Sequence, residues 1–368
     1  MAKTKALALY SGGLDSILAC RVIMSQGIEV QALHFITPFF GYDKRDRESE
    51  AKDYAARNYG ITLKVIDVSH EFLEIVKHPR HGYGKNLNPC LDCKIFLISK
   101  ARECLEEEGA SFLITGEVLG QRPMSQRRDT LRIVERDSGA EGILLRPLSA
   151  KHLKPTIAEE QGWVDREKLF DLKGRGRKIQ MKMAERLGIR EYPAPAGGCL
   201  LTDPHLSARI KRLFDSGTDV VIEDILLTKV GRHFVLDGGA LLVVGRLETE
   251  NQEIARLGRR GDIMLELSKY PGPLSLLRGP CTKETLETAA ATTVRYSKAR
   301  GEKQIEVAYR EEGKHLVQVI RVDPISDLAL QVYRIKQYII PEFAVAIYCG
   351  LKILAATLVS RFCSSTYL

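Results

Sequence analysis

Short apolar runs alternate with amphipathic stretches through the first half of the chain, and the alternation sets the architecture. Ala6 to Tyr10 reads as a buried strand, and from Leu14 the apolar residues Leu14, Leu18 and Val22 recur at helical spacing. Val30 to Phe35 predicts a second strand, Glu48 to Tyr59 a helix, Leu63 to Val68 a third strand, Ile95 to Glu108 a helix and Phe112 to Thr115 a strand. Strands alternating with helices predict an α/β fold whose parallel sheet is covered on both faces. Ligands of such sheets gather beyond the carboxyl ends of the strands, where the loops after Tyr10, Phe35 and Thr115 would meet.

The pattern changes after a helical region from Lys173 to Leu187. The loop Tyr192-Pro193-Ala194-Pro195-Ala196-Gly197-Gly198 stops any helix and marks the end of the first domain. Beyond it, Leu206 to Phe214 reads as helical. Short strands follow around His233 to Leu236, Ala240 to Val244 and Ile263 to Leu267. A turn at Pro271-Gly272-Pro273 comes next, then a helix from Lys283 to Lys298 and strands around Ile305 to Tyr309 and Leu316 to Ile320. These predict a smaller α+β domain. The expected division is 1–203, 204–335 and an apolar tail, 336–368. Within the tail, Phe343 to Val359 is almost wholly apolar but interrupted by Gly350 and Lys352. That run falls short of the roughly 20 residues of a membrane span, so a buried or partner-covered helix is expected and no stable membrane association.

With 368 residues, 44% hydrophobic and 28% charged, the chain has the composition of a soluble protein with room for two cores. Its net charge of +8 favours an acidic partner, nucleic acid first. No secretory signal precedes the first strand, so a cytoplasmic location is expected. Eight cysteines in a reducing compartment do not predict disulfides, and Cys20, Cys104 and Cys281 read as packing residues.

The loop Ser11-Gly12-Gly13-Leu14-Asp15-Ser16 lies between a strand end and a helix start. Such a junction points backbone N–H groups and the positive end of a helix dipole at one spot, which favours a phosphate. Gly12 and Gly13 allow close approach, and Ser11 and Ser16 add hydroxyl donors. Asp15 would repel a phosphate unless it holds a magnesium ion or meets a substrate. An ordinary capped turn uses the same residue types, but strand, loop and helix in a row favour a nucleotide.

Cys90 and Cys93 form a C-x-x-C at a loop-to-helix junction, and Cys199 stands in the glycine-rich PAPAGGCLL. A helix N-terminus lowers the pKa of nearby thiols, which suits a redox pair or metal ligands. Three thiolates without an obvious fourth ligand fit an iron–sulfur cluster with one open iron, or a persulfide-carrying cysteine with a resolving partner. Three unconnected cysteines are the plain alternative.

SGGLDS after an N-terminal strand resembles the signature of the PP-loop ATP pyrophosphatases, which adenylate a substrate oxygen and release pyrophosphate. The block Gly116-Glu117-Val118-Leu119-Gly120-Gln121, with Ser125-Gln126 and LLRPLSAKHLKPTI, resembles the catalytic domain of 4-thiouridine synthetases. The 2-thiouridylase family carries Asp and Cys where this chain has Cys90 and Cys93, and a second cysteine matching Cys199. Three thiols in place of two shift the expectation towards a 4Fe-4S cluster, as inferred for cluster-dependent tRNA thiolases. YPGPLSLLRG and TLETAAATTVRYSKARGEKQIEVAYR resemble the NFACT-R domain, predicted to bind RNA.

The resemblance implies an ATP-dependent tRNA sulfurtransferase, with 4-thiouridine favoured over 2-thiouridine as product. Ser11, Gly12, Gly13, Asp15, Ser16, Gly116 and Gln121 would bind ATP and Mg2+, with the adenine near Leu33 to Thr37 and Thr115 to Glu117. Asp15, Cys90, Cys93 and Cys199 would be catalytic, the three cysteines also holding the cluster. A loop bearing Arg122, Arg127, Arg128 and Arg132 suits phosphate contacts. No RNA-binding module is expected before Ala6 and no sulfur carrier after Cys199. The partners implied are therefore tRNA and a separate sulfur donor, either a cysteine desulfurase or sulfide; a homodimer is left open. Competing readings are a PP-loop ligase acting on a small metabolite, and a non-catalytic protein that binds nucleotide and RNA.

Overall fold

The computed structural model describes residues 4–194 and 199–335. The expected tail at 336–368 and the glycines of the PAPAGGC loop lie outside the described residues.

The first half holds β1 (Lys5–Leu9), α1 (Leu14–Met24), β2 (Glu29–Ile36), α2 (Glu48–Tyr59), β3 (Thr62–Asp67), α3 (Ser69–Lys77), α4 (Cys90–Glu103) and β4 (Phe112–Thr115). It continues with α5 (Arg128–Asp137), β5 (Leu144–Leu145), α6 (Ile157–Glu160) and α7 (Lys178–Arg186). All neighbouring strands are parallel, in the order β3-β2-β1-β4-β5. Side chains of β1 alternate between two apolar layers: Ala6 and Ala8 join the core under α1, while Leu7 joins the one under α4 and α5. From β1 the chain winds outward through β2 and β3, then returns to the other side of β1 as β4. That reversal opens a crevice between the ends of β1 and β4, the usual place for a ligand in an open α/β sheet.

The second half holds α8 (Pro204–Asp215), α9 (Ile222–Thr228), β6 (Arg232–Val235), β7 (Leu241–Val244), α10 (Glu248–Leu257), β8 (Ile263–Leu267) and β9 (Ser275–Arg278). It ends with α11 (Lys283–Arg295), β10 (Ile305–Glu311), β11 (Gln318–Val322) and α12 (Asp327–Tyr333). The strands form an antiparallel sheet, β11-β10-β8-β9-β7-β6. In β7, Leu242 and Val244 face the core that α11 joins. Leu241 and Val243 face a core shared with Phe39, Phe72, Leu73 and Val76 of the first half. The Lys229 ammonium, donating to the Pro38 carbonyl at 2.7 Å, adds a polar tie between the halves. Arg278 pairs with Asp224 at 2.6 Å and Asp262 at 2.6 Å, so these half-buried and buried charges leave water only as partners.

Several expectations are corrected. Arg128 and Arg132 stand on α5, not on a loop, because Thr130, Leu131 and Val134 give an otherwise charged segment one buried face. The fourth helix begins at Cys90 rather than Ile95, placing both thiols of the C-x-x-C in its first turn. β9 begins at Ser275, two residues after Pro273, where only a turn was expected, and α7 is shorter than its sequence pattern, starting at Lys178. No helix among the described residues is long and apolar enough to cross a membrane.

Burial holds His34 and His233 uncharged, with pKa values lowered to about 4 and about 3; their ring nitrogens instead meet the carbonyls of Tyr10 and Val230. An unfolded histidine gains its proton below about pH 6.5 and these do not, so stability falls as pH drops from there towards their folded values. Between pH 7 and pH 5 the His233 contribution amounts to about 2 kcal/mol. Urea unfolding of the His233→Gln variant, followed by circular dichroism, is expected to show a correspondingly smaller difference between the two pH values.

Candidate active site

The chain enters the crevice on Gly12, whose φ of +77° places it in the left-handed region that glycine adopts without strain. The Ser16 hydroxyl donates to the Gly13 carbonyl at 2.8 Å, and the Ser11 hydroxyl donates to Ser16 Oγ at 3.3 Å. Both hydroxyls are thus held at the N-terminus of α1, where the first backbone N–H groups have no partner within the helix. Asp15, in the first turn, accepts on Oδ2 from Gln121 Nε2 at 3.1 Å and lies 3.8 Å from Arg177 Nη2. Its other oxygen, Oδ1, is buried with no hydrogen-bond partner. An orphaned carboxylate oxygen beside a phosphate-type loop is the donor chemistry that a magnesium ion takes.

Gly116, just past β4, closes the other side. A Cβ at this position would lie 2.4 Å from the Asp15 carbonyl carbon and 2.5 Å from the Ser16 nitrogen, so only glycine lets the two backbones approach. The next residue, Glu117, is almost completely buried. Its carboxylate meets Arg146 Nε at 3.1 Å and Lys94 Nζ at 3.5 Å, and Arg146 also binds Glu135. Burial alone would raise the Glu117 pKa, but Lys94 and Arg146 outweigh it and hold the group below the usual carboxylate range. Further along, Leu119 N donates to Ser149 Oγ at 3.0 Å and Gly174 N to the Leu119 carbonyl at 2.8 Å, fixing the segment that carries Gln121.

The three thiols come to one neighbourhood from distant segments. Cys90 and Cys93 sit in the first turn of α4, and Cys199 precedes a turn whose Thr202 carbonyl accepts from Asn86 Nδ2 at 2.7 Å. Cys93 feels Cys199 and Cys90 electrostatically, Cys199 feels Cys90, and Arg122 acts on both Cys93 and Cys199 with the opposite sign. Enclosure pushes the Cys93 thiol up to about 12 and raises that of Cys199. Among the described residues no three Cys, His, Asp or Glu side chains converge to hold a single metal ion. The described residues thus bring three thiols to one neighbourhood, one short of the four thiolates that ordinarily hold an iron–sulfur cluster.

Two parts of this site have no signal in the sequence. His81 is gripped by Asp92 at 2.9 Å and Asp137 at 3.2 Å, and its backbone N–H also donates to Asp92 at 3.0 Å. Asp92 lies between the two thiols, so this contact fixes the loop before α4 against the turn that bears them. The pairing spans 11 residues on one side and over 50 on the other, which no spacing rule detects. Arg177 near Asp15 is equally remote in sequence. The residues near Leu33 to Thr37 line the end of β2, with Thr37 fully buried.

A parallel sheet with a strand-end SGGLDS loop defines a PP-loop α/β domain, joined here to an antiparallel α+β unit. Residues 1–159 match the family described as thiamine biosynthesis protein (ThiI), and residues 231–334 match the NFACT protein RNA binding domain. The chain thus joins a ThiI-type region to an NFACT-type region, the pairing its motifs imply. It is 33% identical over 120 residues to a "Probable tRNA sulfurtransferase" of Methanothermobacter thermautotrophicus, covering 32% of this chain and 30% of that protein. It is 30% identical over 117 residues to the tRNA-specific 2-thiouridylase MnmA of Syntrophotalea carbinolica, covering 30% and 33%. The chain spans about a third of the length of the curated relatives it matches. Among solved structures, a 4-thiouridine synthetase in complex with RNA and ATP is similar over 50% of each chain, at 21% identity and a TM-score of 0.32. The C-terminal part of a fibronectin/fibrinogen-binding protein from Streptococcus suis covers 43% of this chain and 76% of its own, at 15% identity and a TM-score of 0.27.

The close backbone contact makes Gly116→Ala destabilising, by about 1–3 kcal/mol as for other overpacked sites, whereas Gly176→Ala, with nothing within 4 Å, should be near neutral. Arg146→Met leaves the buried Glu117 charge with Lys94 alone and removes the partner of Glu135, and should cost about 3 kcal/mol. Urea unfolding of the three variants at pH 7 checks both expectations.

Proposed function

We propose that this chain uses ATP to adenylate a uridine carbonyl oxygen in tRNA and replaces that oxygen with sulfur, giving 4-thiouridine in preference to 2-thiouridine. The observation that carries the reading is a chain of contacts from the nucleotide loop to the thiols. Asp15 abuts Gly116; Glu117 follows Gly116 and pairs with Lys94; Lys94 follows Cys93. A phosphate-type loop and a sulfur-bearing turn therefore form one rigid unit, as a reaction needing both activation and sulfur delivery requires. The similarity of residues 1–159 to sulfurtransferases and thiouridylases supports the same chemistry, and the 4-thiouridine-type GEVLGQ block favours the 4-thio product.

In this reading the loop from Ser11 to Ser16 holds the ATP phosphates at the N-terminus of α1. Asp15 offers Oδ1 to Mg2+ while Gln121 and Arg177 hold its other oxygen. The uridine is unstacked into the crevice, as chemistry on a base requires. The uracil oxygen attacks the α-phosphorus, pyrophosphate leaves with the electrons of the broken P–O bond, and the adenylated base remains. A sulfur nucleophile then attacks the same carbon and AMP departs with the oxygen. Cys90, Cys93 and Cys199 would hold a 4Fe-4S cluster, which would supply sulfide-level sulfur for this attack; without a cluster, Cys199 would carry the sulfur as a persulfide, and Cys90 or Cys93 would release the thionucleoside by forming a disulfide with Cys199. The apolar wall of Phe39, Phe72 and Phe96 around these thiols limits water, favouring thiolation over hydrolysis. Sulfur comes from a separate donor, either sulfide for the cluster or a cysteine desulfurase whose persulfide passes its outer sulfur to the Cys199 thiolate, and residues 204–335 grip the tRNA.

The protein, purified without oxygen, is to be incubated with an unmodified tRNA transcript, Mg-ATP and sulfide, and the nucleosides read by mass spectrometry. A thionucleoside that requires ATP is expected, falling at least about 100-fold in Asp15→Asn and in Cys199→Ala. Pyrophosphate release that is indifferent to tRNA, with no thionucleoside formed, overturns the reading in favour of a small-molecule ligase.

A further inference from the structure

A second concavity lies far along the chain from the crevice, in the antiparallel unit. Three loops border an open cleft of about 790 Å³: Gly245 to Leu247 after β7, Pro271 to Pro273 before β9, and Tyr296 to Arg300 after α11. The volume lies within the roughly 300–1,000 Å³ of cavities that enclose one small ligand. The loops are held by specific contacts. Leu274 N donates to Asn251 Oδ1 at 3.0 Å, and a Cβ on Gly245 would lie 2.1 Å from that oxygen. A Cβ on Gly272 would lie 3.1 Å from Ser297 Cβ. The cleft is therefore part of the fold and not a gap between mobile loops.

Its lining has a definite chemistry. Arg232, Arg246, Lys298 and Arg300 contribute four cations against one carboxylate, Glu248. The Arg232 guanidinium lies 4.4 Å from the centre of the Tyr296 ring and donates to the Gly245 carbonyl at 3.2 Å. Arg246 is held by Glu250 at 2.5 Å, whereas Lys298 and Arg300 are exposed and have no ion pair or side-chain hydrogen bond among the described residues. Leu247, 65% exposed, adds an apolar rim. Beyond Glu248, Asn251 and Gly272 a smaller cleft of about 350 Å³ continues, but there Glu248 and Glu266 supply the charge. The surface therefore changes sign at Glu248, and an anion is confined to the first half.

Cations without partners beside a ring and an apolar rim match a phosphodiester attached to an unstacked base. Duplex RNA keeps its bases paired and stacked, so it offers this cleft phosphates but no base for the ring and the apolar rim. We infer that this cleft binds one unpaired nucleotide of an RNA single strand, its phosphate on Lys298 and Arg300 and its base against Tyr296 and Leu247. The inference rests on the reading that the chain acts on RNA, and it adds where and in what form the second unit holds it: by an unpaired segment rather than by a stem.

Direct binding separates the two, because it needs no turnover. The full chain is to be titrated against a fluorescein-labelled oligouridine and against a labelled RNA duplex of the same length, over a series of salt concentrations. The expected result is tighter binding of the single strand. Lys298→Glu/Arg300→Glu should weaken that binding by roughly tenfold or more and make the salt slope shallower by about 0.7, the loss of one phosphate contact. Tyr296→Leu should weaken it without altering the slope. Lys283→Glu/Lys314→Glu makes the same charge change outside the cleft and should leave most of the affinity. Equal losses in both charge-reversed pairs overturn the site, as does unchanged binding in the cleft pair. Duplex binding as tight as single-strand binding overturns the unpaired-nucleotide assignment. Circular dichroism of each variant excludes unfolding as the cause, and a chain that binds oligouridine at the cleft but yields no thionucleoside sinks the thiolation reading alone.

Discussion

The close approach of two backbones, Gly116 to Asp15, is the constraint on which the rest of the site depends. It is set by parallel pairing of β1 and β4 in register, Leu9 opposite Thr115, so the next residue of each strand leaves the sheet at the same level. With no Cβ between them, the loop after β4 lies directly on the first turn of α1. Gln121 then reaches Asp15, and Glu117 turns inward beneath the sheet to meet Arg146 and Lys94. A larger residue at 116 would push the two loops apart and separate these pairs together.

Buried charge recurs as the device that positions segments. Glu117, Arg146 and Glu135 tie the loop after β4 to α5, while Lys94 ties it to α4. Asp92, His81 and Asp137 tie the loop before α4 to α5, and Asp224, Arg278 and Asp262 tie α9 to β9. Desolvation cancels much of what such pairs gain, so their main consequence is orientation: a displaced partner leaves a charge stranded. Around the thiols the balance is different. Cys93 is surrounded by apolar groups and two other thiols, which keeps it protonated until something that stabilises a thiolate is bound.

The two sheets share an apolar core through Phe39, Phe72 and Val76, which face Leu241, Val243 and Leu276. This joint places the antiparallel unit on a fixed footing against the parallel-sheet one. Its cationic cleft and the strand-end crevice are thus parts of a single packed molecule.

The sequence by itself determined the periodic elements and the local chemistry. Apolar runs such as Ala6 to Tyr10 must be buried, Glu48 to Tyr59 presents a helical pattern, and SGGLDS can form a phosphate-type turn from its own six residues. These were legible because hydrogen bonding and burial along one segment suffice to fix them. Short or charge-rich segments were not: α5 is helical only because Leu131 and Val134 find a core to enter, and β9 is a strand only because β7 and β8 flank it. Only the tertiary structure decided that Asp15 meets Gln121 and Arg177 and that His81 bridges Asp92 and Asp137, whereas the return of Cys199 to Cys90 and Cys93 was implied by the family resemblance and not by their spacing. Each of these joins residues brought together by strand order and helix packing, and separation along the chain carries no record of a contact made in space.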